Sequence, residues 1–296
     1  MSAGRRILDA WRGFWFRERP LVDLAISRIV LAGTLLYLNS GGRFLRSALV
    51  APEHWVPISL VRLLGLEQPS LTQLFWLGQM TRAALVAAAL GLLTNVSLWV
   101  ALLLQLLQEA YMNSLGKVSH GTIPILYALL FFALSPCGRR LSLDAAARRL
   151  WARATTAQLP PAPTTSEHAG WPLELLFIEL AAFYFQAGYA KLATSGLAWA
   201  DGYSLQFYLL EKRQPAGEWL AAHLWLCRAL SAAVLTFEVG FPIAIFARRL
   251  RPLFLVGGFA FHLGTIAFMD VWFWPVWALY ALFVPWSRIA PGRCSG

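Results

Sequence analysis

Apolar residues in this chain gather into long runs broken by charge, Pro or Gly, with no sustained alternation in twos that would mark strands. A helix crossing the hydrocarbon of a bilayer needs about 20 mostly apolar residues. Eight stretches fit, at residues 21–38, 72–91, 94–112, 120–136, 172–191, 225–246, 252–269 and 271–287. The second carries Gln79 and Arg82, and the last two share one apolar run broken near Met269-Asp270. The pattern predicts an all-α fold: a polytopic membrane helix bundle of about eight transmembrane helices, with one transmembrane domain over 14–288.

The segments between the runs are short. In residues 1–20, Arg5, Arg6, Arg12, Arg17 and Arg19 interleave with Trp11, Trp15 and Phe16, and no apolar core with a small-residue cleavage site follows. That composition predicts an amphipathic cytoplasmic interfacial segment rather than a signal peptide. Residues 137–171 predict a cytoplasmic loop: LSLDAAARRLWARA reads as a basic surface helix and LPPAPTTSEH as a Pro/Thr-rich linker. Residues 39–71 read as an interfacial outer loop and 289–296 as a short cytoplasmic tail. No loop is large enough for a globular domain, so function is expected in the bundle.

Composition narrows the classes further. The chain is 58% hydrophobic and 14% charged, with a mean hydropathy of +0.56, whereas soluble chains run at roughly 25% charged. Soluble enzymes, disulfide scaffolds and disordered tails are thereby excluded. The net charge of +10 does not point to nucleic acid, because the basic residues lie in short blocks between apolar runs. Read as topology signals, 15 of the 25 Lys and Arg fall on the presumed inner segments and six on the outer ones. The expectation is a multi-pass protein of the cell inner membrane, with the lipid bilayer as partner and both termini cytoplasmic. Of the three cysteines, Cys137 and Cys294 are expected on the inner face and Cys227 near the outer one, which leaves no disulfide across the membrane.

An ionised side chain at the bilayer centre costs about 2.5 to 3.5 kcal/mol, so the ionisable residues inside the runs need partners or purposes. They are Arg28, Arg82, Glu109, His120, Glu174, Glu179, Lys191, Glu238, His262 and Asp270. The alternating span directions place Glu109, His120, Lys191, His262 and Asp270 at one height near the outer leaflet, and a shared polar pocket is expected there. Arg28, Glu179 and Glu238 lie deeper and are expected to be structural ion-pairing groups, Arg28 with a glutamate being one candidate pair. Lys191 reads either as a terminal lysine snorkelling to the headgroups or as an amine held in an apolar pocket, available as a base. No two of the histidines and carboxylates share a helix at metal-ligand spacing, and no metal site is expected.

The stretch YFQAGYAKLATSGLAWADGY at 184–203 resembles the signature of the vitamin K-dependent gamma-carboxylase membrane domain, with which the HTTM (horizontally transferred transmembrane domain) proteins are grouped. SRIVLAGTLL resembles the family's arginine-bearing first helix and SHGTIPILYALLFFALSP its histidine-opening segment. LTFEVGFPIAIF and FHLGTIAFMDVWFWPVWALYALFVPW resemble its acidic helix and the histidine helix that follows. The likeness covers residues 14–288. It implies that Lys191, His120 and His262 are catalytic, with Lys191 the base linked to oxygenation of a reduced quinone, vitamin K or menaquinone hydroquinone. It implies that Glu109, Trp199, Tyr203 and Asp270 bind the cofactor. Ala190-Lys191 stands where the enzyme has two lysines, and the sequence ends at Gly296 where the animal enzyme continues into a large lumenal region. Two functions are therefore expected: a quinone-dependent carboxylase- or oxygenase-like enzyme acting on a small molecule or exported peptide, or a non-enzymatic accessory protein for maturation or export of a secreted peptide. A secondary transporter fits less well, since no paired, broken half-helices are apparent.

Overall fold

The computed structural model describes residues 3–116, 121–155 and 163–289. The protein is all-helical; among the described residues the only strands are Arg19–Pro20 and Thr165–Ser166, paired antiparallel. The principal helices are α1 (Ala3–Trp15), α2 (Leu21–Ser40), α3 (Leu71–Leu90), α4 (Thr94–Met112), α5 (Ile123–Ala133), α6 (Leu143–Ala154), α7 (Trp171–Ser195), α8 (Tyr203–Lys212), α9 (Pro215–Ala221), α10 (Leu224–Gly240), α11 (Arg251–Met269) and α12 (Trp274–Leu282).

Three helical runs among the described residues are long and apolar enough to cross a membrane: Leu21–Ser40, Glu167–Asp201 and Arg248–Met269. A fourth exists if α9 and α10, bent by 99° at the break between them, form one broken span. The remaining expected spans fall outside this set by length or composition, for physical reasons. Helices α3 and α4 have the length of a span, but Arg82, Gln105, Gln108 and Glu109 lower their apolarity. Helices α5 and α12 are apolar but only 11 and 9 residues long, which at about 1.5 Å per residue is well short of the hydrocarbon thickness. Pro124 and Pro275 stand in their first turns, and Pro136 and Pro285 follow their ends. Helix α10 stops at Gly240, just before Phe241-Pro242, so the expected run to 246 resumes only as a separate turn, Ile243–Phe246. The bend between α9 and α10 is a break of the kind the sequence did not reveal.

The chain forms two compact units, residues 1–176 with 281–296, and residues 177–280. In the first unit α2, α3, α4 and α5 pack together, and Phe44, Val61, Leu74, Leu77, Ala110 and Tyr111 form an apolar cluster. The polar residues of α2, α3 and α4 bond to one another: Gln108 donates to Thr81 Oγ1 at 2.7 Å, Asn39 donates to Gln105 Oε1 at 2.9 Å, and Arg82 donates to the Asn39 carbonyl at 2.9 Å. These bonds are why helices with buried glutamines can pack in apolar surroundings. The expected surface helix in 137–171 appears as α6, and the amphipathic N-terminal segment as α1. In the second unit α8, α9 and α10 gather around Leu209, Leu220, Ala221 and Cys227. Cys137 and Cys227 are buried free thiols.

Candidate functional site

The second unit holds the polar groups that the Lys191 region can offer to chemistry. Lys191, one turn before the end of α7, donates to both carboxylate oxygens of Glu238 on α10, at 2.8 and 2.7 Å. The lysine side chain is 23% exposed and the glutamate 3%. The approach depends on Gly188, one turn earlier on α7, where an added Cβ would lie 2.9 Å from the Glu238 Cβ. The Trp199 ring also meets the ammonium, 5.1 Å from Nζ to ring centroid, a cation–π contact.

The Trp-Asp-Gly-Tyr block acts locally on the backbone. Gly202 has φ +88° and packs against the backbone of Cys227 and Arg228, leaving no room for a side chain. Asp201 accepts from the Tyr203 amide at 2.9 Å at the start of α8, and Arg228 donates to the Asp201 carbonyl at 3.0 Å. The block fixes the turn that sets Trp199 over Lys191, while the Tyr203 side chain itself is exposed.

Two turns before Lys191 on α7, Tyr184 is buried with its hydroxyl 2.9 Å from His262 Nε2 and hydrogen-bonded to the Tyr280 hydroxyl. Gly258 on α11 makes room for both phenols; a methyl there would collide with Tyr280 and Tyr184. His262 is 2% exposed, and its Nδ1 has no partner among the described residues. Asp270 caps the end of α11 in a left-handed conformation, is exposed, and accepts from the Trp272 indole at 2.8 Å. An apolar groove of about 450 Å³ in the same unit is lined by Leu209, Val234, Phe237, Phe261 and Phe268 among others.

The first unit contains Glu109 and Arg28. Glu109, 6% exposed, accepts from Arg43 at 2.6 Å and from Thr122 at 2.9 Å. With Asn39, Gln105 and Gln108 it borders a cavity of about 10 Å³, roughly the space of one water. His120 lies outside the described residues. Of the residues expected at one pocket, Glu109 belongs to the first unit and Lys191, His262 and Asp270 to the second.

Two pairing expectations are corrected. Arg28 does not meet a glutamate: it is fully buried and donates to the carbonyls of Cys137 (2.9 Å), Ala89 (3.3 Å) and Leu141 (2.6 Å). Carbonyls left over near helix ends can accept from a guanidinium in place of an acid, here from both terminal nitrogens while Nε has no partner among the described residues, and no sequence pattern announces them. Glu179 has no cation within reach among the described residues, and its Oε2 is buried and unpaired. Lys191 is held by Glu238 instead, and Arg251 stacks on Phe177 and donates to the Ala244 and Ile245 carbonyls.

Tyr184 and Tyr280 are not among the residues expected from the sequence, where the deep groups singled out are those that carry a charge or an imidazole. The i, i+7 spacing of Tyr184 and Lys191, which places them on one helix face, was the available signal. Compared with protein-family models, curated proteins and solved structures, the chain matches none.

Proposed function

We propose that this chain is a multi-pass protein of the cell inner membrane in which Lys191 acts as a base toward a reduced quinone, vitamin K or menaquinone hydroquinone, in chemistry like that of the gamma-carboxylase membrane domain. The observation that carries this reading is the Lys191–Glu238 pair, an amine and a carboxylate held 2.7 Å apart with the carboxylate shielded from solvent. A base must first be a free amine. Glu238 is placed to accept the ammonium's proton, and that transfer converts a buried ion pair into two neutral groups without placing a lone charge in the interior. When bound, the hydroquinone would supply the acidic hydroxyl and the reducing ring. The residues present suit it: an amine, a flanking indole, and in the same unit an apolar groove of the kind that accepts a lipid-soluble tail. The substrate is an exported peptide or a small molecule reaching the outer face.

In this reading the chain crosses the bilayer eight times with both termini cytoplasmic, as the 15 to 6 division of basic residues favours. Because Cys137 and Cys227 are buried, topology is tested with new cysteines at exposed Arg149 and Lys212. A membrane-impermeant thiol reagent added to whole cells should label Lys212→Cys only, and labelling of both would overturn the orientation.

One observation favours the non-enzymatic alternative, an accessory protein for maturation or export of a secreted peptide: both carboxylate oxygens of Glu238 are engaged by Lys191, so the pair is complete as a structural tie. The two readings separate in detergent with added menaquinone hydroquinone, following quinone oxidation or epoxidation. Loss of turnover in a folded Lys191→Ala variant supports the base. Equal turnover in variant and wild type eliminates it.

A further inference from the structure

In the first unit, a polar recess of about 390 Å³ opens among the end of α5, the starts of α4 and α6, and the residues leading into α7. Its walls include Arg139, Arg148, His168, Asn95 and Trp171, with Asp144 as the single carboxylate. Asp144 is turned inward, accepting from the Leu93 amide at 2.8 Å and from the Thr94 amide and hydroxyl at 2.8 and 2.7 Å. Asn95 is committed to the Ala133 and Ser135 carbonyls. Arg148 makes one long bond, 3.3 Å, to the Gly138 carbonyl, and Arg139 is exposed with no hydrogen bond or ion pair to the described residues. The recess therefore carries two guanidiniums against one satisfied carboxylate.

Its surroundings say what kind of anion it meets. Helix α6, which supplies Asp144 and Arg148, exposes Leu143, Leu150 and Trp151 together with Arg149 and Arg153. Helix α1 exposes Ile7, Leu8 and Trp11 beside Arg5, Arg6 and Arg12. The segment after α1 is tied to the recess wall: Phe16 meets the His168 ring edge-on at 5.7 Å, and Arg19–Pro20 pairs with Thr165–Ser166. Two short helices with apolar faces and arginine flanks thus adjoin one basic recess. Such helices lie at the level of lipid headgroups, with their apolar faces in the acyl boundary.

We propose that this recess binds the phosphate of an anionic phospholipid headgroup, with Arg139 and Arg148 as its ligands. Guanidiniums suit the task because their planar donors match phosphate oxygens in pairs. The proposal does not depend on what Lys191 does.

The test uses the full chain, purified in neutral detergent, stripped of lipid and titrated with dioleoyl phosphatidylglycerol or dioleoyl phosphatidylcholine while native mass spectrometry counts bound lipid. One phosphatidylglycerol should be retained saturably and at least about tenfold more tightly than phosphatidylcholine. Arg139→Gln with Arg148→Gln should weaken it about thirty-fold, or about 2 kcal/mol for two charges near a lipid surface. Arg149→Gln with Arg153→Gln, on α6 but outside the recess, should leave binding within about threefold. If the double recess variant does not fold, Arg139→Gln alone, which disturbs no bond to the described protein, should weaken binding about fivefold. Equal affinity for the two lipids, wild-type binding by the recess variants, or an equal loss in the α6 control pair would overturn the proposal. So would displacement of the lipid by millimolar inorganic phosphate, which would make a free anion the ligand.

Discussion

Lys191 Nζ sits 2.7 and 2.8 Å from the two carboxylate oxygens of Glu238, a residue 47 positions away whose side chain is almost wholly enclosed. Removing one member leaves the other without its counter-charge, which for a buried pair costs about 3 to 5 kcal/mol, while replacing both with apolar groups of similar volume is often nearly neutral. The lysine is partly exposed, so the lower end of that range is expected. Thermal unfolding in detergent should show a large loss of stability for Lys191→Ala and for Glu238→Leu, and recovery of most of it in Lys191→Met with Glu238→Leu. Additive losses in the double variant would mean the pair is not coupled.

Arg28 is a second stability determinant. Its guanidinium serves three carbonyls at once, those of Ala89, Cys137 and Leu141. Arg28→Met should cost about 3 kcal/mol or more, because each buried polar group left unsatisfied costs about 1 to 3 kcal/mol. Arg28→Lys should recover less than half of the loss, since a single ammonium cannot span the same fork. Chemical denaturation of the three proteins decides this, and full rescue by lysine would show that charge alone matters.

Two glycines on one helix should respond in opposite ways. Gly258→Ala places a methyl against the Tyr184 and Tyr280 hydroxyls and should destabilise by about 1 to 3 kcal/mol. Gly264→Ala meets nothing within 4 Å and should change stability by less than about 1 kcal/mol, with a gain from helix propensity as the favoured direction. Melting temperatures of the two variants test the contrast.

Acid should loosen the start of α4. Burial pushes the Asp144 carboxyl up, but bonds from the Thr94 amide and hydroxyl and the Leu93 amide, with Arg148 nearby, outweigh it, so its pKa lies below the ordinary aspartate value. A depressed folded pKa stabilises the protein above the unfolded value, about 3.9, and that stabilisation is lost as pH falls through the folded value. Asp144→Asn should therefore be less stable than wild type at pH 7, by about 0.3 to 1 kcal/mol for the lost negative charge at a helix N-terminus, and the gap should narrow as pH falls below the unfolded value and through the folded one. A gap independent of pH would exclude the carboxylate's charge as its source.

Much of this was legible in the sequence. Long apolar runs bounded by charge specify helices, because in lipid only a helix or a closed barrel satisfies its own backbone. Arginines interleaved with aromatics in residues 1–20 and in LSLDAAARRLWARA specified α1 and α6, because amphipathic composition is a local property. Lys191 stood out as a charge at the end of an apolar run, and Trp199 through the resemblance of the block at 184–203. The helices at 203–212 and 215–221, hidden in what reads as an outer loop, are only 10 and 7 residues long, far short of the run of about 20 apolar residues that marks a span.

Partners were a matter for the tertiary structure. Hydropathy and spacing established that Arg28, Glu109, Lys191 and Glu238 lie in apolar runs and each require compensation, which is a one-dimensional fact about the cost of burying charge. Which group compensates depends on distances between residues far apart in the chain. Arg28 took backbone carbonyls exposed by helix ends at 89, 137 and 141, Glu109 took Arg43, and Lys191 took Glu238 because Gly188 let α7 and α10 approach closely. The sequence by itself determined an apolar helical chain with a few costly charges; only the packing of helices decided where each charge finds its counterpart, because such pairing follows from through-space contact that no local pattern encodes.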